Sequence, residues 1–189
     1  MATTLNDRSV LAEWLPRCHQ ILDLEAIEET ILQTLLFAGF PKTIEALKQV
    51  RKHLPQAGPA KHIEDHAAAG TKTSRVIYGK HHGRLIEVLD ELHPDLTRWM
   101  IEDGYGRILS RPGLDLQDRE LAVMASLMAS GMVNQYRAHI RGALLAGVDR
   151  EDIIWFTNTF QCIIAADLRP DFENVTRRVL ATHGKTTGE

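Results

Sequence analysis

The 189-residue sequence has only two cysteines, Cys18 and Cys162, far apart in the chain and in no CxxC or metal-type spacing. That pattern excludes a disulfide framework and a zinc-binding cysteine set. It fits isolated buried thiols in a reducing compartment, with a single Cys18–Cys162 bridge left open. An excess of one charge is also lacking: 22 Lys and Arg stand against 25 Asp and Glu, a net charge of -3. No basic field draws the chain to nucleic acid or anionic lipid, so no nucleic-acid partner is expected. Long hydrophobic runs are absent too, since Ile31 to Phe40 is interrupted by Gln33 and Thr34 and falls short of the roughly 20 residues a bilayer span requires. No membrane partner is expected. The first eight residues include Asp7 and have no apolar core of signal-peptide type, so the expected location is cytoplasmic. With 13 glycines, 7 prolines, 44% hydrophobic and 25% charged residues, the composition is that of a globular protein and not of a disordered one. The length suits one domain with a real core.

What the sequence does have is helical periodicity. Leu24, Ile27, Ile31 and Leu35, with neighbouring Leu32, form one stripe, while Glu25, Glu28 and Glu29 lie elsewhere; this predicts an amphipathic helix. Ala38-Gly39-Phe40-Pro41 breaks it, and Pro41 suits the start of a second helix carrying Ile44, Leu47, Val50 and Leu54. Residues 1–54 thus read as an N-terminal helical hairpin. Residues 55–75, rich in Gly, Ala, Pro, Lys and His without periodicity, read as an exposed linker. Core helices are expected over 76–183. Leu85, Val88, Leu89 and Leu92 mark one, and Pro94 opens another with Leu96, Trp99, Met100 and Ile108 before the turn Ser110-Arg111-Pro112-Gly113. Asp115 is an N-cap candidate for a helix whose stripe is Leu121, Met124, Ala125 and Met128. Ser130-Gly131 interrupts that run, Gly147 is placed to cap the next helix, Asp149 starts another, and Pro170 precedes the last, with Phe172, Val175, Val179 and Leu180. Strand signals are absent. The expectation is an all-α fold of about eight helices, one domain over 1–189.

No phosphate-binding glycine loop, HExxH, nucleophile elbow or zinc pattern is present, so histidines, acids and arginines are what remains for chemistry. In Tyr78-Gly-Lys-His-His-Gly-Arg84, His81 and His82 sit beside glycines just before a helix, either solvated or facing a cleft. Glu120 lies near the start of an otherwise apolar helix face; composition favours a surface acid over a buried proton-transfer group. In Gln135-Tyr-Arg-Ala-His139, Gln135 and Tyr136 lie one turn before His139, which is as readily a satisfied structural histidine as a functional one.

Taken in order, Tyr78-Gly-x2-His82, the run from Gly104 to Asp115, Arg119-Glu120-Leu121, and His139-Ile-Arg-Gly-Ala-Leu with Gly147, Val148 and Glu151 resemble the carboxymuconolactone decarboxylase family over about residues 76 to 165. Leu35 to Pro41 resembles that family's helix-hairpin end displaced to the N-terminus, as a permuted or duplicated layout would have it. The resemblance implies an alkylhydroperoxidase D-like helical bundle, a homo-oligomer (trimer or hexamer), and decarboxylation of a small carboxylate or lactone without metal or organic cofactor. It implies His82 and His139 for carbonyl polarisation and protonation, with Glu120 orienting an imidazole or relaying its proton. Arg111 would hold a substrate carboxylate or else be a structural turn residue. The related thiol peroxidases use CxxC followed by His, but the two thiol positions before His139 are Met132 and Gln135 here, and neither forms a thiolate. An alkylhydroperoxidase-like antioxidant and a non-catalytic, ligand-binding helical oligomer are the alternatives.

Overall fold

In the computed structural model, residues 1–56, 58 and 62–183 are described, and all of their regular structure is helical, with no strand. Four helices form the N-terminal part: α1 (Ala2–Leu5), α2 (Arg8–Cys18), α3 (Leu24–Leu32) and α4 (Leu35–His53). The chain continues through α5 (His66–Tyr78), α6 (His82–Leu92), α7 (Pro94–Trp99) and a π-helical segment, Met100–Leu109, which follows α7 directly. It ends with α8 (Leu116–Ala129), α9 (Val133–Ala146), α10 (Arg150–Phe160) and α11 (Arg169–His183). This is more helical segments than the eight or so expected, because α1, α2 and α5 carry no long apolar stripe, and residues 1–54 hold four helices where a hairpin of two was expected. No helix among the described residues is long and apolar enough to cross a membrane.

The punctuation follows local chemistry. Gly39, at φ 74 and ψ 169, breaks the helical path inside α4 where the Ala38–Pro41 break was expected. Asp115 accepts the Asp118 N–H at 2.9 Å and so caps α8. Gly147, at φ 99, closes α9 in the left-handed conformation that a Cβ disfavours.

The linker expected over 55–75 is corrected in part: residues 57 and 59–61 lie outside the described residues, but from His66 the chain is helical. Asp65 caps α5 by accepting the Ala68 N–H at 2.9 Å. The packing face of α5 carries Gly70, Ser74 and Ile77, all buried. A Cβ on Gly70 would stand 1.9 Å from the Ile101 carbonyl oxygen, and one on Gly106 would stand 2.0 Å from the His66 carbonyl oxygen. The two backbones therefore touch, and only small residues permit it. Such a face buries glycine and serine with a single large apolar side chain, Ile77, which is why the sequence reads there as a connection.

Two apolar cores result. Leu15, Ile27, Ile31, Ala46, Val50 and Leu54 fill the space between α2, α3 and α4. The larger core gathers Ile77, Tyr105, Val123, Met124, Tyr136, Ile140, Ile153 and Phe172 around the α8–α9 hairpin. A buried polar cluster joins them. Arg119 of α8, 1% exposed, donates to Glu29 Oε2 of α3 at 3.0 Å and to Gln33 Oε1 at 3.0 Å. Arg111, in the turn before α8, donates to the same Glu29 carboxylate through Nε at 3.0 Å and Nη2 at 2.7 Å.

Candidate active site

Glu120 and His139 face one another across the α8–α9 hairpin. Glu120 Oε2 lies 2.8 Å from His139 Nδ1, and the two side chains are 0% and 8% exposed. The surface position that composition favoured for Glu120 is thereby corrected. Gly142, one turn beyond His139, makes the burial possible: a Cβ there would meet Glu120 Oε2 at 2.4 Å and Ile77 Cγ2 at 2.7 Å. A carboxylate with no access to water needs a donor or a cation, and the imidazole supplies it. Only one oxygen is served, because Glu120 Oε1 is buried without a hydrogen-bond partner. Pairing through Nδ1 fixes the ring and leaves Nε2 as the nitrogen that does not face this carboxylate.

Tyr78, the last residue of α5, packs edge-on against His139, ring centroids 6.3 Å apart at 66°. Tyr105 of the π-helical segment donates its hydroxyl to Tyr78 Oη at 2.8 Å. Burial raises the pKa of both phenols, and the Glu120 charge adds to it, so both stay protonated at neutral pH. Tyr78 is also part of the wall of a cavity of about 530 Å³. Ile77, Ala138, Leu145 and Val179 make its apolar side, and Lys80, His81 and Arg141 bring three basic groups with no acid among the lining residues. Arg141 is half-buried, and neither it nor Lys80 is paired with an acid among the described residues. A volume of this size takes a small organic molecule, and a basic rim on an apolar wall suits an anionic one.

The remaining expected residues lie elsewhere. His82 does not line the cavity; its Nε2 is 2.9 Å from Ser74 Oγ. Burial, with help from the Arg75 charge, pulls its pKa down. Of the two adjacent histidines it is His81 that reaches the cavity wall. Arg111 is the structural residue of the two readings: the carboxylate it holds belongs to Glu29, which pushes the pKa of its guanidinium up. Tyr136 is structural as well, bonded to Thr157 Oγ1 at 2.8 Å and packed on Phe172. Both cysteines are free, Cys162 is exposed and not buried as expected, and Cys18 packs against the N-terminal core. Among the described residues no group of His, Cys, Asp and Glu is arranged to hold a metal ion. The basic residues Lys80 and Arg141 were missed by sequence reasoning. Their signal was present only as bare charges near Tyr78 and His139, and only the packing of α5 on α9 puts them in one wall.

Comparison with known proteins covers this same region. Residues 94–156 match the model of the carboxymuconolactone decarboxylase family, a stretch that holds both Glu120 and His139. Over this segment the chain is similar to the carboxymuconolactone decarboxylase family. The family sits within the alkylhydroperoxidase D-like superfamily and has an all-α fold, in agreement with the helices seen here. A 4-carboxymuconolactone decarboxylase of Acinetobacter baylyi is 30% identical over 80 residues, 42% of this chain and 60% of the relative. Peroxisomal protein 2 of Schizosaccharomyces pombe is 24% identical over 135 residues, 68% of this chain and 63% of that protein. Peroxisomal protein 2 of Saccharomyces cerevisiae is 27% identical over 157 residues, 66% of this chain and 56% of that protein. The chain thus spans roughly three-fifths of the length of the curated relatives it matches. Tyr78 and the loop bearing Lys80 and His81 fall before the stretch matched by the family model.

Proposed function

We propose that the chain is a cofactor-independent carboxy-lyase acting on a carboxylated lactone such as γ-carboxymuconolactone, or on a related small acid. The observation that carries this reading is the buried Glu120–His139 pair, 2.8 Å apart, which lies behind Tyr78: neither Glu120 nor His139 is a lining residue of the basic-walled cavity, but Tyr78, packed on His139, is. When the lost carboxylate is conjugated through a ring alkene with a lactone carbonyl, the C–C bond breaks, CO2 departs and the electron pair spreads into the carbonyl oxygen as an enolate. A proton then returns to the ring carbon. The protein must hold the anion, stabilise charge at the oxygen and deliver the proton. Arg141 and Lys80 take the anion-holding role proposed from sequence for Arg111, and His139, steadied by Glu120, supplies the proton. The relative named as a decarboxylase supports the chemistry, while those named as peroxisomal proteins leave the substrate and the compartment open. The thiol peroxidase alternative lacks its pair, since Met132 and Gln135 occupy the thiol positions.

The test is CO2 release and loss of ultraviolet absorbance when purified protein meets γ-carboxymuconolactone, with His139→Ala and Glu120→Gln beside wild type. Loss of about 10² or more in rate from either variant is expected for a missing acid–base group; an inert wild type overturns the reading. Assembly into a trimer or hexamer belongs to the same proposal. Helix α6 is amphipathic yet buries no residue, and Val88, Leu92, Leu96 and Trp99 of α6 and α7 are exposed. Light scattering after size exclusion reads the oligomer directly.

A further inference from the structure

The Tyr105–Tyr78 pair belongs neither to the structural cores alone nor to the acid–base pair. Tyr105, 4% exposed, spends its only proton on Tyr78 Oη. Tyr78 Oη therefore acts as an acceptor, and no described residue accepts its own proton. Nearby, Glu120 Oε1 is buried and accepts from nothing. A hydroxyl that accepts one hydrogen bond becomes a stronger donor in a second. Tyr78, which carries this donor, is a lining residue of a cavity whose charged lining groups, Lys80, His81 and Arg141, are all basic. Negative charge on a bound oxygen is favoured there by both the dipole and the cations.

We infer that Tyr78, held by Tyr105, is the hydrogen-bond donor this cavity presents to an anionic oxygen of its ligand. In the decarboxylase reading, on which the identity of that oxygen rests, it is the carbonyl oxygen that becomes the enolate. Tyr78 then touches the reacting group, and Tyr105 is a positioning residue. This gives carbonyl polarisation to a phenol and not to His82, which bonds Ser74 instead.

Binding of 4-nitrophenolate tests the inference without any turnover. Its visible absorption responds to hydrogen bonds at the oxygen, and 4-nitroanisole is the same ring without the anionic oxygen. Wild type is expected to bind the phenolate with a shifted band and to prefer it to the anisole. Tyr78→Phe, which keeps the ring, is expected to weaken phenolate affinity about tenfold and erase the shift, as loss of one hydrogen bond to a charged oxygen does. Tyr105→Phe is expected to keep binding but reduce the shift, a change that simple loss of packing does not produce. Equal phenolate affinity and spectrum in wild type and Tyr78→Phe overturn the inference. Should Tyr78→Phe not fold, equal binding of phenolate and anisole to wild type overturns it as well, as does absence of phenolate binding at millimolar concentration. Failure of lactone turnover with intact Tyr78-dependent phenolate binding removes the decarboxylase reading and leaves this one standing.

Discussion

Replacing Glu29 by Ala removes the one carboxylate shared by Arg111 and Arg119. Arg119 is 1% exposed and its Nε already lacks a partner. After the substitution its Nη2 retains the Arg111 carbonyl at 2.7 Å, and Nη1 retains Gln33, but the guanidinium loses its directly bonded carboxylate and keeps only the weaker field of Asp115. Burial already pulls the Arg119 pKa down, and Glu29 is the main group opposing that pull. Stripping the partner from a buried charge costs about 3–5 kcal/mol, a large part of the roughly 5–15 kcal/mol that holds a domain folded. At about 2–4 °C per kcal/mol for a chain of this size, Tm should fall by roughly 6–20 °C. Circular dichroism against temperature measures it, and denaturant midpoints check it. Arg111→Ala should destabilise less, since Arg111 is only partly buried and Arg119 keeps Glu29. The two substitutions should be non-additive, because Glu29→Ala already removes the partner of Arg111. A Tm shift below about 2 °C for Glu29→Ala, or a loss of ligand affinity in Arg111→Ala at unchanged stability, refutes the assignment of this cluster to structure.

Further expectations are equally concrete. Gly142→Ala drives a methyl into Glu120 Oε2 at 2.4 Å; it should cost about 1–3 kcal/mol by overpacking and, by displacing the carboxylate from His139, lower turnover more than it lowers substrate affinity, a split that steady-state kinetics reads. Gly70→Ala puts a Cβ 1.9 Å from a carbonyl oxygen that no rotamer change can move, so soluble folded protein should be lost, and recovery of a wild-type Tm would refute the close α5 packing. His82 has its pKa lowered from the ordinary 6.5, so the unfolded chain binds its proton first as pH falls; its contribution is full above 6.5 and is lost below. Denaturant midpoints at neutral and mildly acidic pH should therefore drop more in wild type than in His82→Gln. Thiol titration should show fast Cys162 and slow Cys18, whose burial raises its pKa, and replacing both by Ser should leave any lactone turnover unchanged.

The helices were readable wherever burial is carried by large apolar side chains at helical spacing. Ile27 and Ile31 of α3, Met124 and Met128 of α8, and Phe172, Val175 and Val179 of α11 all reach the cores that their spacing implied. The same rule fails in two opposite ways. On α5 the buried face is Gly70, Ser74 and Ile77, so close backbone contact leaves one large apolar residue and no apolar stripe. On α6 the signal is strong, yet Val88 and Leu92 stay exposed in the single chain. Periodicity reports what a helix could bury and says nothing of how near its neighbour comes or whether that neighbour lies in the same chain.

Site residues divide by a similar principle. Glu120 and His139 stand out in the sequence through the family resemblance, but composition points Glu120 to the surface and the structure buries it. Nothing in the local sequence shows that Gly142, on another helix, opens the space its carboxylate fills. Arg111 shows the converse: a guanidinium competent to hold a carboxylate reads equally as a ligand holder or a structural residue, and only the structure shows Glu29, 82 positions earlier, on it. Charge pairing over such separations is settled by helix packing alone. The unpaired cations are then the informative ones, and among the described residues Arg141 and Lys80 have no acid paired with them beside the cavity. If either carries the ligand's carboxylate, Arg141→Met should weaken binding of an anionic ligand by about tenfold while leaving Tm nearly unchanged. That is the reverse of the pattern expected at Glu29, so isothermal titration and thermal melting of the two variants together separate cations that bind from cations that brace.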